Sequence, residues 1–599
     1  MDAIRVDGEV RLGSSPSALW PLLSNTNRLN RSVGLPENIV QRMSGTFDRL
    51  VRARLAGWTI SWRERPFDYV AGRGYAVVRE FENGPLARFE GGLRLAPDGA
   101  GTLARLTGAF TPRYALARGP IRLFAAKALS DMTRVLESVD ASLRRVGDIP
   151  ALPRTATPAD ETLLAARART LEASGAEPAA AARLVAHLRS APDDEVVRLR
   201  PFEFADRWKL PRLDVLGASL HAVKAGLLDM RWEVLCPNCL TAPETHAGLA
   251  GLKATSHCEG CGINYGVGFD ESVELRFTVH PSVRGARAAI FCAGSPAHNP
   301  QVVAQQSLAA GETRELEIDL ESRSYVLRGL SARRSFRLRP RADAPAEFDA
   351  DLGRAGDGAE LTFRPGTVRL RVTSPIPELA RVEAESWREA GATAALVTSL
   401  QEFRALFSSE VLAPGLEIGV KRLALLFTDL KSSTALYEKV GDATAYGVVR
   451  DHFDYLTAIV AERRGAVVKT IGDAVMAVFA SPADALEAAL DMQERIAELD
   501  AKLAPRAPVV LKIGVHEGAA IVINASGVLD YFGTTANVAA RVQGESEGGD
   551  VVITDVLRDD PSAREVLARR APFEESFDSA LKGLTGVHRL WRLRPRKKA

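Results

Sequence analysis

Two stretches late in the chain limit what it can fold into: RLALLFTDLKSST, residues 422–434, and AVVKTIGDAVMAVF, residues 466–479. Each is an apolar, strand-like run that delivers one aspartate, Asp429 or Asp473, to a turn. A carboxylate in that place points out of the core, and two on neighbouring strands can hold a pair of divalent ions. A paired-metal site suits phosphoryl transfer, because one ion activates the attacking oxygen while both stabilise charge on the reacting phosphate.

The chain that carries these stretches has 599 residues, and single cores seldom grow beyond about 250–300 residues, so several domains are expected. With 46% hydrophobic and 25% charged residues, each can bury a core. A formal net charge of only +2 argues against a global field for nucleic acid or an anionic membrane. No apolar run is long enough to span a bilayer, and Asp2, Arg5 and Asp7 replace a signal-peptide core, so a cytoplasmic protein without an integral membrane segment is expected.

Four of the five cysteines form two CxxC pairs, Cys236/Cys239 and Cys258/Cys261, with 18 residues between them. Two such knuckles place four thiolates at the corners of a tetrahedron, the arrangement that one structural Zn²⁺ prefers, and leave no open coordination position. His246 and His257 are not needed to complete that set, and Cys292, in the apolar run AAIFCAG, is expected to be a buried thiol. The knuckles resemble a zinc ribbon, residues 234–270.

Taken in order, residues 1–148 alternate polar and apolar positions between turns at Asn83-Gly84 and Asp98-Gly99. A short helix around Trp20 interrupts the pattern, and Ile121, Phe124, Ala128, Met132, Val135, Val139 and Leu143 mark a long amphipathic helix at its end. That order resembles the helix-grip fold of START-like proteins, which implies either an interior that binds an apolar small molecule or one filled by side chains. A Pro- and Thr-containing linker, 149–165, leads to a helical segment, 166–233, ordered like a winged-helix unit. Its Arg207, Lys209, Arg212 and Lys224 do not cluster, so nucleic-acid contact is not expected. Residues 271–375 read as seven short strands of a β-sandwich-like domain, among them VELRFTVH and ARAAIFC, and 376–417 as a helical connector.

Residues 418–599 then follow a strand, helix, helix, strand, strand, helix, strand order, which builds a ferredoxin-like palm with helices on one side of an antiparallel sheet. The motifs FTDLKSST, VVKTIGDAVMAVF, KIGVHEG, LDYFGTTANVAAR and LKGLTGVHRLWRL resemble, in the same order, the class III nucleotidyl cyclase catalytic domain. The whole is therefore expected to be a multidomain α+β protein. The resemblance implies that Asp429 and Asp473 bind two Mg²⁺ or Mn²⁺, and that Leu430, Lys431, Ser432, Ser433 and Thr434 wrap the triphosphate at a helix N-terminus, where unpaired N–H groups favour anions. It implies that Lys469 and Asp530 select the base, that Asn537 orients the ribose, that Arg541 neutralises charge on the α-phosphate, and that Lys582 contacts phosphate late in the chain. Lysine offers a donor to adenine N1 and aspartate an acceptor to the N6 amine, so the pair implies ATP rather than GTP.

Thr534, Ala536 and Gln543 depart from residues frequent in that family without removing any of these groups. In the family the aspartates come from one catalytic domain and the Lys, Asp, Asn and Arg set from another, which implies a homodimer. The expected activity is conversion of ATP to cyclic AMP and pyrophosphate, regulated by the preceding domains. Guanylate cyclase and a catalytically silent ligand-binding protein are the alternatives.

Overall fold

The computed structural model describes residues 2–55, 57–146, 156–356, 358–385, 391–431, 442–503, 509–570 and 572–595. The first region runs β1 (Ile4–Leu12), α1 (Pro16–Leu23), α2 (Thr26–Ser32), β2 (Asn38–Arg42), β3 (Arg49–Leu55), β4 (Trp58–Glu64), β5 (Asp68–Val70), β6 (Gly74–Phe81), β7 (Leu86–Asp98), β8 (Gly101–Pro112) and α3 (Arg118–Val146). Strand β1 pairs with β8, β8 with β7, and β7 with β6, while β4, β3 and β2 continue from the far end of β6. Helix α3 closes the sheet by burying Ile121, Ala125, Leu136 and Val139. Leu129 of α3 rests directly on the backbone of Gly8, so side chains occupy the space under this part of the helix. Phe124 is instead half exposed, because the buried stripe runs one position later at Ala125.

The second region holds α4 (Glu161–Glu172), α5 (Pro178–Ser190), α6 (Asp193–Val196), α7 (Pro201–Trp208) and α8 (Arg212–Lys224). It continues through β9 (Leu228–Val234), β10 (Glu244–His246), β11 (Thr255–Cys258), β12 (Ile263–Gly266) and β13 (Val273–Val279). Two expectations fail here. VELRFTV does form a strand, but β13 pairs with β9 and belongs to this region rather than to the β-domain. Residues 286–292, read as a strand, are irregular. Their backbone is satisfied by side chains instead: Asn27 Oδ1 accepts from the Cys292 N–H at 3.0 Å, and Asn30 Nδ2 donates to the Phe291 carbonyl at 2.9 Å. Cys292 itself is fully buried.

The β-domain consists of β14 (Val302–Leu308), β15 (Thr313–Leu320), β16 (Tyr325–Gly329), β17 (Arg334–Pro340), β18 (Glu347–Asp351), β19 (Glu360–Phe363), β20 (Gly366–Thr373) and β21 (Glu378–Ala384). Strands β15, β20 and β18 form one layer, packed on the other through Leu316, Ile318, Leu338, Leu370 and Val382. The second layer, β14-β21-β16-β17-β19, joins β5 edge to edge and makes one 13-stranded sheet with the first region. The helical reading of 376–417 fails over β21. Its alternate charged residues mimic a helix face, yet every residue of the strand is buried between β14 and β16. Helices return only in α9 (Ala394–Thr398) and α10 (Gln401–Leu406).

The palm contains β22 (Ile418–Leu430), α11 (Asp442–Glu462), β23 (Gly465–Ile471), β24 (Ala474–Phe479), α12 (Pro482–Glu494) and α13 (Ile496–Leu503). It goes on with β25 (Leu511–Ala525), β26 (Val528–Phe532), α14 (Thr534–Gly544), β27 (Asp550–Thr554), α15 (Asp555–Asp559), α16 (Pro561–Arg570), β28 (Phe573–Ser579) and β29 (His588–Arg594). Its sheet runs β23-β24-β22-β25-β27-β29-β28, with β26 on β25 and one parallel pair, β25 with β27.

One-sided packing does not hold for this sheet. Ala424 and Leu426 of β22 face α11 and α12, whereas Leu423, Leu425 and Phe427 join a core with α4, α5, α8, β9 and β13. A strand apolar on both faces is buried on both. Among the described residues no helix is long and apolar enough to cross a membrane.

Candidate functional site

Pairing of β22 with β24 sets Thr428 opposite Val475, so the turn between β23 and β24 lies beside the end of β22. Gly472 opens that turn at φ +65, a conformation glycine adopts without steric cost. Asp473 Oδ2 then accepts the Leu430 N–H at 3.3 Å. The Leu430 side chain is buried in the core beneath α11, so this residue serves the site through its backbone. Burial raises the Asp429 carboxyl above the ordinary carboxylate range, the like charge of Asp473 adds to this, and Lys512 opposes it. A carboxylate raised by burial and by a second carboxylate beside it is a fit for cations, which would reverse that cost. Lys431 donates from Nζ to the Glu547 carbonyl at 2.9 Å. Ser432, Ser433 and Thr434 lie outside the described residues.

Beneath the Asp473 turn sits a residue that the sequence reading passed over. His452 of α11 has 0% exposure. Burial pushes its imidazole down to about 4, with Asp473 opposing, so it is neutral at pH 7. The signal was present in the sequence: Val448, His452, Leu456 and Ile459 recur at helical spacing, and the other three are buried.

The base-selecting candidates come together. Lys469 follows a bulge in β23, Asp530 stands on β26, and Lys469 Nζ donates to Asp530 Oδ2 at 2.5 Å. Asp530 Oδ1 also accepts the Tyr531 N–H at 2.8 Å. Both strands are held from behind by a segment that the sequence reading treated as connector. Gln401 Oε1 accepts the Val467 N–H at 2.8 Å, Arg404 donates to the Leu529 carbonyl at 2.8 Å, and Thr398 and Tyr531 share a hydroxyl hydrogen bond at 3.2 Å. The Arg404 guanidinium also lies over the Tyr531 ring, 5.6 Å from its centroid.

Asn537 and Arg541 are exposed on α14, one turn apart, while Val538, Ala539 and Val542 pack inward. The helix sits so close to β25 that a Cβ on Gly514 would strike the Gln543 backbone, which explains the glycine in KIGVHEG. Among the described residues no hydrogen bond or ion pair joins Asn537 or Arg541 to the Asp429/Asp473 pair. Lys582 is exposed in the segment between β28 and β29, and no such contact ties it to any described residue.

The second candidate centre is closed. Sγ atoms of Cys236, Cys239, Cys258 and Cys261 all lie within 4.8 Å of one another. Cys236 and Cys261 are 3.9 Å apart and Cys239 and Cys258 3.7 Å. A tetrahedral ion with bonds of about 2.3 Å to sulfur requires sulfurs roughly 3.8 Å apart. One knuckle follows β9, and the other spans the β11–β12 hairpin. The group could hold a metal ion.

Two family models match the chain. Residues 164–305 match a family of unknown function, DUF5939, and residues 419–573 match the adenylate and guanylate cyclase catalytic domain. A pH-sensitive adenylate cyclase of Mycobacterium tuberculosis is 33% identical over 182 residues, 29% of this chain and 41% of that protein. A putative adenylate cyclase of Rhizobium meliloti is 29% identical over 136 residues, 23% of this chain and 22% of that protein. The chain thus spans less than half the length of these relatives. Among solved structures, the adenylyl cyclase CyaB from P. aeruginosa aligns at 18% identity and a TM-score of 0.26, covering 30% of this chain and 97% of that one. The guanylyl cyclase Cya2 gives 18% identity, a TM-score of 0.26, and coverage of 29% and 91%. With the motifs in order along the palm and the family model over the same strands, residues 419–573 are a class III adenylate and guanylate cyclase catalytic domain.

Proposed function

We propose that the protein is an adenylate cyclase, converting ATP to 3′,5′-cyclic AMP and pyrophosphate at a site completed between two copies of the chain. The observation that carries this reading is the Lys469–Asp530 pair, a donor and an acceptor 2.5 Å apart, brought together from β23 and β26. Adenine matches that polarity with N1 as acceptor and the N6 amine as donor. Guanine reverses both, and each mispaired group in a closed pocket costs about 1–3 kcal/mol.

Asp429 and Asp473 would hold two Mg²⁺ or Mn²⁺, which when bound would activate the attacking hydroxyl and neutralise phosphate charge. The backbone after Asp429 receives the triphosphate, Asn537 orients the ribose, and Arg541 faces the charge that grows on the α-phosphate. The 3′-oxygen bonds to the α-phosphorus, the bond to the leaving pyrophosphate breaks, and the hydroxyl proton passes to water. His452 is buried and neutral beneath the turn, which suits a prop for Asp473 rather than a base.

The four cysteines would hold one structural Zn²⁺. The order of elements from β1 to α3 supports a helix-grip reading of the first region, and the Leu129–Gly8 contact favours a filled interior over a cavity for an apolar ligand.

Purified protein incubated with ATP or GTP and Mg²⁺ or Mn²⁺, alongside Asp429→Ala, tests the reading. Cyclic AMP from wild type alone is expected. Cyclic GMP in preference would make the protein a guanylate cyclase, and no product from either nucleotide would leave a silent, ligand-binding palm.

A further inference from the structure

Where the first region, the cysteine knuckles and the β-domain meet, a cleft is lined by Arg42, Arg49 and Glu64 of β2–β4, Thr241 of the first knuckle, and Gln305 and Arg381 of β14 and β21. The strand register explains the first three. Arg42 stands opposite Arg49, and Arg49 opposite Glu64, so the side chains form a row across three strands. Like charges directly opposite one another destabilise a sheet, which makes the Arg42–Arg49 pair a feature that needs a reason.

Among the described residues no carboxylate forms an ion pair with these cations. Arg42 donates to Thr241 Oγ1 at 2.9 Å, and Arg381 donates to Gln305 Oε1 at 2.6 Å and to the Cys239 carbonyl at 3.4 Å. The Arg49 guanidinium makes no hydrogen bond or ion pair with any described residue, and none of the three arginines has a carboxylate within 4 Å among them. Asp48, also on the cleft, is committed to Arg63, and Glu64 Oε2 accepts from Arg79 at 2.8 Å. Glu64 is 1% exposed, yet its second oxygen, Oε1, has no partner. Burial pulls the Arg49 guanidinium below its ordinary range; Arg42 and Arg381 press the same way and Glu64 opposes.

The cleft thus presents a surplus of guanidinium N–H donors beside one buried, unused acceptor. Sulfate has acceptors for the arginines and no donor for Glu64. A tetrahedral phosphate that carries a hydroxyl has both, whether the hydroxyl is the P–OH of inorganic phosphate or belongs to the alcohol of a phosphate monoester. Arginine favours such oxyanions through its planar, multiple-donor geometry. We propose that this junction is a binding site for a hydroxyl-bearing phosphate, held by Arg42, Arg49 and Arg381 with its donor on Glu64, and separate from the catalytic palm.

Arg49→Gln is the informative variant, since among the described residues it breaks no side-chain hydrogen bond or ion pair. Calorimetric titration and thermal unfolding of the full chain, wild type against Arg49→Gln, would use inorganic phosphate, glycerol 3-phosphate and sulfate at matched ionic strength. The difference between the two proteins is the readout, because the palm contributes equally to both. Wild type is expected to bind one of the phosphates at least about tenfold more tightly than sulfate, and Arg49→Gln to lose about tenfold or more of that affinity while unfolding at the same or a higher temperature without ligand. Whichever phosphate binds more tightly identifies the source. Equal responses from the two proteins would overturn the proposal. So would loss of bound metal from Arg49→Gln with no phosphate binding by wild type, which would assign the arginines to balancing the charge of the cysteine cluster.

Discussion

The two candidate metal centres of this chain are built on opposite plans. Four cysteines, three of them buried, converge from two knuckles of one chain and would by themselves complete the coordination of a tetrahedral ion. Asp429 and Asp473 converge from a strand end and a hairpin turn, repel one another, and leave most of any ion's coordination sphere open. A closed set holds the fold together, whereas an open set repelling itself invites cations and substrate. Stability and chemistry should therefore separate cleanly between the two.

The largest expected effect is on chemistry. Asp429→Ala should lower cyclase turnover by about 10⁴-fold, roughly 5 kcal/mol of barrier, in a steady-state assay. It should not lower the unfolding temperature in chelator, where the raised carboxyl pKa marks Asp429 as a destabilising charge. If the variant melts early instead, the aspartates share a structural duty and the contrast fails. Cys258→Ser should do the converse: it releases the metal, detected by elemental analysis, and costs about 4 kcal/mol of stability.

A pH titration sharpens the point on the open side. His452 titrates near 4 when folded and near 6.5 when unfolded, so the unfolded chain binds more protons between those values. Stability present above pH 6.5 is lost as pH falls toward 4, by on the order of 3 kcal/mol. Denaturant unfolding at stepped pH should show a shallower decline for His452→Leu. Next, Lys469→Glu with Asp530→Asn reverses the donor and acceptor pattern and should move the ATP to GTP ratio of kcat/KM toward GTP by about 10- to 100-fold. An unchanged ratio would remove these two residues from base selection. The smallest effect is expected from Gln401→Ala, which frees the Val467 N–H and should cost about 1 kcal/mol, seen as a rise in KM larger than any fall in kcat.

Much of the palm was legible because its cues are local. A glycine-aspartate turn, apolar strand runs and an i, i+4 pair declare themselves within a few residues, and four cysteines at fixed spacing do the same. The misreadings share another cause. β21 alternates glutamate and arginine with apolar residues and lies buried between β14 and β16, where Arg381 finds Gln305 and, across a crevice, arginines far away in sequence. Residues 286–292 are held by Asn27 and Asn30, more than 250 positions earlier. Such partners cannot be read from a window. The grip of Gln401 and Arg404 on the strands bearing Lys469 and Asp530 was hidden for the same reason. The continuous apolar run of β22 did carry a sign of two-sided burial, which the one-sided palm reading set aside.

That strand has a further consequence. The match to the cyclase family begins at residue 419, but Leu423, Leu425 and Phe427 share their core with helices and strands that precede it. The family module and the packed core have different boundaries. A disturbance in the helices upstream would therefore reach the strand that carries Asp429 as a change in what it is packed against.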